Sequence, residues 1–316
     1  MKKTGLLLVL LATAAWAQAP ADSSPAPDGT APTTNSFPSE RIATPTYADI
    51  YCAGFISKQI LPDANFVAGG LQTPNTTKFV RGDMIYLQGS GYALGAEYEV
   101  IRALRDINEY EMYPGEKKVL KSTGQPYGDV ARVRIIDTRH KMAIAQIEYS
   151  CDPANPGDTL VPFAEKPMIP FHEPIRFDRF MPTGSKVSGR IVMGKDFDAI
   201  LGTGHKVYVN IGANQGLKVG DYLRASRGYE ADLKDPVDSL SFKAAVAEDT
   251  QMKTPSVDPT FLTKNNGPVI HVRDLPHRSV GEIVIIGVTP TTATGMIVFA
   301  TEDVHSGDDV ELDQVQ

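Results

Sequence analysis

Residues 129–160 of this 316-residue chain align with residues 279–310 at a constant offset of 150, without a gap. Val130 meets Val280, Val133 meets Ile283, and Ile135-Ile136 meet Ile285-Ile286. Ala143 meets Ala293, Ile147 meets Ile297, Tyr149 meets Phe299, and Gly157-Asp158 meet Gly307-Asp308. Only seven of the 32 positions are identical, so the signal lies in the matched apolar positions and the shared Gly-Asp turn. Upstream, Gly82 to Gln88 aligns with Gly204 to Asn210, and Gly91 and Leu94-Gly95 with Gly216 and Val219-Gly220. Ala53-Gly54-Phe55-Ile56 resembles Ser188-Gly189-Arg190-Ile191. A fixed order of elements at this spacing is the mark of a duplicated unit, so both halves must bury the same pattern of side chains.

That unit reads as β. Apolar and polar residues take turns in Ala145-Gln146-Ile147-Glu148-Tyr149, and Val207 to Ile211 and Gly295 to Phe299 follow the same period of two. A period of two places one face of a strand in a core. Helical periodicity is confined to Tyr98–Leu104, where a strand fits equally, and Ser239–Glu248. The copies differ in an excursion, 105–126 in the first and 228–278 in the second. An insertion of the latter size is tolerated because loop-closure entropy grows slowly with length. Between the copies, Pro162, Pro167, Pro170, Pro174 and Pro182 alternate with Phe163, Phe171, Phe177 and Phe180. Proline forbids a central strand there, while phenylalanine needs cover, so an extended strap laid on the modules is expected.

The expected fold class is therefore mainly β: two tandem copies of a small SH3-like or closed β-barrel. The expected order is a leader at 1–17, a disordered Pro-rich tether at 18–46, a first barrel at 47–163, a strap at 164–186, and a second barrel at 187–316 carrying the 228–278 insertion. The leader follows from Met1-Lys2-Lys3, the apolar run Leu6–Ala15, and the small residues of Ala15-Trp16-Ala17, which suit cleavage after Ala17. That run is too short to span a bilayer. The expected compartment is the periplasm or the exterior. The tether holds six prolines, with Phe37 and Ile42 its only large apolar residues. Cys52 and Cys151 are the only cysteines, which in an exported chain points to one disulfide. If the first and last strands of a barrel meet, the first strand's start and the end of Ala145–Ser150 come within bridging distance.

Chemistry is sparse. With net charge −7 and no basic patch, the chain lacks an electrostatic footprint for nucleic acid. The six histidines show no zinc-site spacing, and the acidic run Glu302 to Asp309 lacks the ladder of calcium ligands, so no metal or other cofactor is expected. No phosphate-binding loop and no nucleophile elbow is present. The only tryptophan is Trp16, in the leader, which leaves tyrosines as the aromatic candidates for ligand contact: Tyr92, Tyr110, Tyr113 and Tyr127, with Tyr98 nearby.

Val207 to Gly212, Gln215 to Asp221, Ser279 to Ile283, Thr292 to Gly295 and Gly307-Asp308 resemble the C-terminal domain of flagellar assembly protein T. The resemblance covers about 187–312 and, more faintly, 50–163. It implies a small SH3-like β-barrel in a periplasmic protein of the flagellar motor's outer ring. The chain also resembles exported proteins of acidobacterial type, which imply no activity. The functional expectation is a non-catalytic scaffold or assembly module of the cell envelope that binds other envelope proteins or itself. Its rivals are a peptidoglycan or polysaccharide binder and a hydrolase.

Overall fold

A computed structural model describes residues 42–106, 111, 113, 115–169, 177–180, 184, 186–198, 200–228 and 276–313. The leader, the tether up to residue 41, the helix candidate Ser239–Glu248, almost all of the 228–278 insertion and Tyr110 lie outside them. The first half opens with a short helix, α1 (Tyr47–Tyr51), and then a short strand, β1 (Phe55–Ser57). Six further strands follow: β2 (Phe66–Gly70), β3 (Met84–Gln88), β4 (Glu97–Ala103), β5 (Gln125–Asp137), β6 (Ala143–Ser150) and β7 (Thr159–Pro162). A helix α2 (Glu116–Thr123) precedes β5. The six strands close in the antiparallel order β5-β4-β7-β2-β3-β6 and back to β5. Closure leaves the ring without an edge.

The second half is built from β8 (Ser188–Gly194), β9 (Ile200–Leu201), β10 (Lys206–Val209), β11 (Tyr222–Arg227), β12 (Arg278–Val288), β13 (Ala293–Ala300), β14 (Val304–His305) and β15 (Asp309–Leu312). Its ring runs β12-β11-β15-β8-β10-β13 and back to β12, with β9 and β14 paired beside it. Matched strand for strand, this is the first ring's order. The agreement reaches single residues. Val133 pairs with Ile147 and Ile283 with Ile297. The β-bulges fall between Arg132 and Val133 and between Glu282 and Ile283, again 150 apart. The Gly95 amide donates to Ile135 O and the Gly220 amide to Ile285 O, both at 2.9 Å. Each barrel is filled by its own apolar cluster, in which Val67, Ile85, Leu87 and Leu160 occupy the places of Ile191, Val207, Val209 and Val310.

The sequence reading needs correction at the start of each copy. The counterpart of β8 is β2, since Val67 pairs with Leu87 as Ile191 pairs with Val209. Ala53 to Ile56, aligned above with Ser188 to Ile191, instead supplies β1, an extra seventh strand hydrogen-bonded to the start of β5. A Gly before two apolar residues cannot by itself distinguish a ring strand from an added one. Tyr98–Leu104, weighed as a helix, is strand β4, because Tyr98 and Val100 face the core while Glu99 and Arg102 face out. The first excursion holds a helix, α2.

β1 and α1 join the two halves. Thr294 and Thr292 on the second barrel donate their hydroxyls to Gly54 O (2.9 Å) and Ile56 O (2.6 Å). The buried Tyr208 hydroxyl donates to Ala53 O at 2.7 Å. Gly54 has φ +72°, and a Cβ there would lie 2.6 Å from both Tyr127 O and the Tyr208 hydroxyl. Only glycine fits that approach. Thr46 and Asp49 form a capping box on α1, and Asp49 also pairs with Lys206 at 2.5 Å. Burial pushes the Asp49 carboxyl up, but Lys206 and Thr46 more than offset it and hold it below its usual value. Ile50 and Tyr51 are buried with Val284, Ile286, Met296 and Val298. Ile42 and Ala43, at the end of the expected tether, pack there too, and the Ala43 amide donates to Val298 O at 2.8 Å. Both faces of β12 and β13 are thus covered, and all the described residues fall in one compact unit.

Candidate functional site

A partly buried group of ionisable side chains lies on the outer wall of the first barrel, where α1 and the strap cover it. Strand pairing sets Glu99 opposite Arg132 and Ile101 opposite Asp129, with a bulge between Val100 and Ile101. The bulge takes up Val130, which stays in the core, and returns Asp129 to the outer wall. Glu99, Asp129, Ala131 and Arg132 then line one small cavity with Tyr47, Tyr51, Tyr149, Cys151 and Phe163. Its volume is about 10 Å³, the space of roughly one water molecule.

Lys166 enters from the strap. Its Nζ lies 3.1 Å from Asp129 Oδ2 and 3.5 Å from Glu99 Oε1, and donates to Ile50 O at 3.3 Å. It also sits 5.5 Å from the centre of the Tyr51 ring, and its backbone amide donates to the Tyr51 hydroxyl at 2.9 Å. Asp129 Oδ2 further accepts from the Gly54 amide at 2.9 Å. Asp129 Oδ1 and Arg132 Nε are buried and meet no hydrogen-bond partner among the described residues. Burial, and then the neighbouring Asp129 charge, push the Glu99 carboxyl up from 4.5 to about 7. Burial pulls the Lys166 ammonium down, yet Asp129 and Glu99 outweigh it and raise the group.

Above these charges stands an aromatic cluster. Tyr47 lies 4.3 Å from Tyr51 and 5.5 Å, edge-on, from Tyr149, and Tyr51 stacks on Phe163 at 5.8 Å. The Arg132 guanidinium sits 5.0 Å from the Phe163 ring centre. Beneath runs the Cys52–Cys151 disulfide, with a Cα separation of 5.4 Å. The expected bridge is formed, though by a different route: Cys52 ends α1, outside the ring, and does not open a ring strand.

The tyrosines singled out from the sequence are placed apart. Tyr92 packs edge-on against Tyr98 at 5.3 Å and donates to Gln88 O. Tyr113 lies at the junction of the halves, donating to Val192 O at 3.3 Å, with Arg190 6.0 Å from its ring centre. Tyr127 is buried against Phe55 and accepts from the Leu61 amide. Tyr110 lies outside the described residues. The cluster that does form, Tyr47, Tyr51, Tyr149 and Phe163, was not singled out as a group, because its members are spread over more than a hundred residues.

The Gly-Asp turns carry a second feature missed in the sequence. Arg102 makes a two-pronged contact to Asp158 (2.8 and 2.7 Å) and donates to Pro153 O at 2.7 Å. Arg227 does the same to Asp308 (2.8 and 2.7 Å) and Asp303 O (2.7 Å). These are one clamp made twice, closing the last turn of each barrel onto its third strand. Among the described residues, no group of three His, Cys, Asp or Glu could hold a metal ion. No protein-family model and no curated protein matches this chain.

Proposed function

We propose that the protein is an exported, non-catalytic scaffold of the cell envelope that acts by binding other proteins. The observation that carries this reading is an exposed apolar group on the first barrel. Leu71, Val80 and Met84 are 60%, 47% and 39% exposed. The Leu71 amide donates to Met84 O, and the Val80 amide donates to the Asp83 carboxylate in the turn that leads into Met84, so all three belong to the β2–β3 connection at one end of the barrel. Apolar side chains gathered on a rigid rim are suited to a partner. The closed ring offers no free edge for strand addition, so a partner would dock on side chains and loops. Glu99 and Asp129 line a cavity of only about one water's volume, which leaves no room for a substrate between them. The disulfide, together with the absence of any membrane-crossing helix among the described residues, fits an exported chain.

One observation favours the glycan-binding reading: the Tyr47 ring is 40% exposed and braced by Tyr51 and Tyr149, as a stacking platform for a sugar would be. The test compares cross-linking of the mature protein to envelope proteins with sedimentation on purified peptidoglycan, using wild type and a Leu71→Ser/Met84→Ser variant of unchanged melting temperature. The scaffold reading expects a defined protein adduct reduced at least tenfold in the variant. Sedimentation with peptidoglycan, or adducts equal in both proteins, would contradict it.

A further inference from the structure

We propose that Glu99 and Asp129 together bind one proton, held between the Glu99 carboxyl and Asp129 Oδ1. The inference is independent of what the protein binds. It begins with hydrogen-bond accounting. Asp129 is 6% exposed, and its Oδ2 is satisfied by the Gly54 amide and Lys166. No donor among the described residues reaches Oδ1, and Asp129 and Glu99 line the same cavity. A buried carboxylate oxygen left unpaired is costly. Glu99 and Asp129 both contact the same ammonium, Lys166 Nζ, at 3.5 and 3.1 Å, so the two carboxyls lie side by side. A proton on Glu99 supplies the missing donor.

Charge balance agrees. With one proton, Glu99, Asp129 and Lys166 sum to zero; without it, they leave a net negative charge under the strap. The groups facing the pair from each packed element are few. β5 brings Arg132, whose nearest carboxylates are Glu97 and Glu148 at 4.0 and 3.9 Å. α1 brings the Tyr47 and Tyr51 hydroxyls, β6 that of Tyr149, β10 that of Tyr208, and the strap Lys166. Arg132 is the only cation among them besides Lys166, and its charge is shared with the half-buried Glu97 and Glu148 beside it. In the second barrel, Arg224, Ser279 and Glu282 stand at the places of Glu99, Asp129 and Arg132, so the pair belongs to the first copy alone.

The sign follows from linkage. The folded state holds a proton that the unfolded chain releases near the ordinary carboxyl value, so stability falls as pH rises from 4.5 to about 7. Across that window the unfolding constant of the wild-type protein should rise roughly tenfold per pH unit relative to Glu99→Gln, which mimics the protonated form permanently. Above the window, Glu99→Gln should be the more stable protein. A second measurement needs no variant: carbon-13 NMR of the wild-type side-chain carboxyls should show the Glu99–Asp129 pair with its upper titration near neutrality. A wild-type to Glu99→Gln ratio that stays flat with pH, or both carboxyls titrating in the ordinary range, would each overturn the proposal.

Discussion

Removing the Asp308 carboxylate strands the Arg227 guanidinium and deprives the His305 amide of its acceptor, which lies at 2.8 Å. The Asp308 side chain is 6% exposed, so water cannot fully replace what is lost. Asp308→Ala should therefore lower stability by about 3 kcal/mol in chemical denaturation, the usual cost of orphaning a buried ionic partner. Neither clamp was legible in the sequence. Arg102 and Asp158 lie 56 residues apart, Arg227 and Asp308 81 apart, and the separation varies because the excursion between them does. Glu282 carries a pH effect of its own. Burial, with Asp313 adding to it, raises its carboxyl from 4.5 to about 7. The folded state again holds the proton, so its contribution is present below 4.5 and lost as pH approaches 7. Glu282→Gln should flatten that part of the melting temperature's dependence on pH, with the largest gain over wild type at pH 8. A melting curve that keeps its full pH slope would show that Glu282 ionises normally.

Between the barrels, elements differ by traded volume. Ala145 and Val133 of the first become Gly295 and Ile283 of the second. A Cβ added at Gly295 would come 2.3 Å from Ile283 Cγ2. Gly295→Ala should cost about 1–3 kcal/mol by overpacking, and combined with Ile283→Ala, which removes that Cγ2, it should cost less than the sum of the two single changes in a double-mutant cycle. Strict additivity would mean the two positions do not share that space. Strands of the hairpin β5–β6 and its copy β12–β13 were plain in the sequence, because period-two patterning and the Gly-Asp turn are local signals. The added strand β1 was not, because its backbone partner is the start of β5, where Phe55 pairs with Tyr127 far along the chain, and no local pattern marks that pairing. The proton-binding pair was hidden for a similar reason: a bulge, rather than residue spacing, brings Asp129 to Glu99.

At the scale of the whole molecule, duplication alone would give two barrels on a string. What the structure adds is the fusion of the two. β12 and β13 bury one face in their own barrel and the other under α1, β1 and the aromatic residues Phe163 and Phe177 from the first half and the strap. Apolar burial of this extent makes independent opening of either barrel costly, since it would expose the shared layer as well as a barrel core. The exposed rim at Leu71, Val80 and Met84 is then presented from a rigid body, which suits a scaffold. Native-state hydrogen exchange of the disulfide-intact protein tests this most directly. The ladder amides of β5–β6 and β12–β13 should share one opening free energy, equal within about 1 kcal/mol to that of global unfolding. Opening of one hairpin at several kcal/mol less than the other would contradict the account, because the two barrels would then be separate folding units.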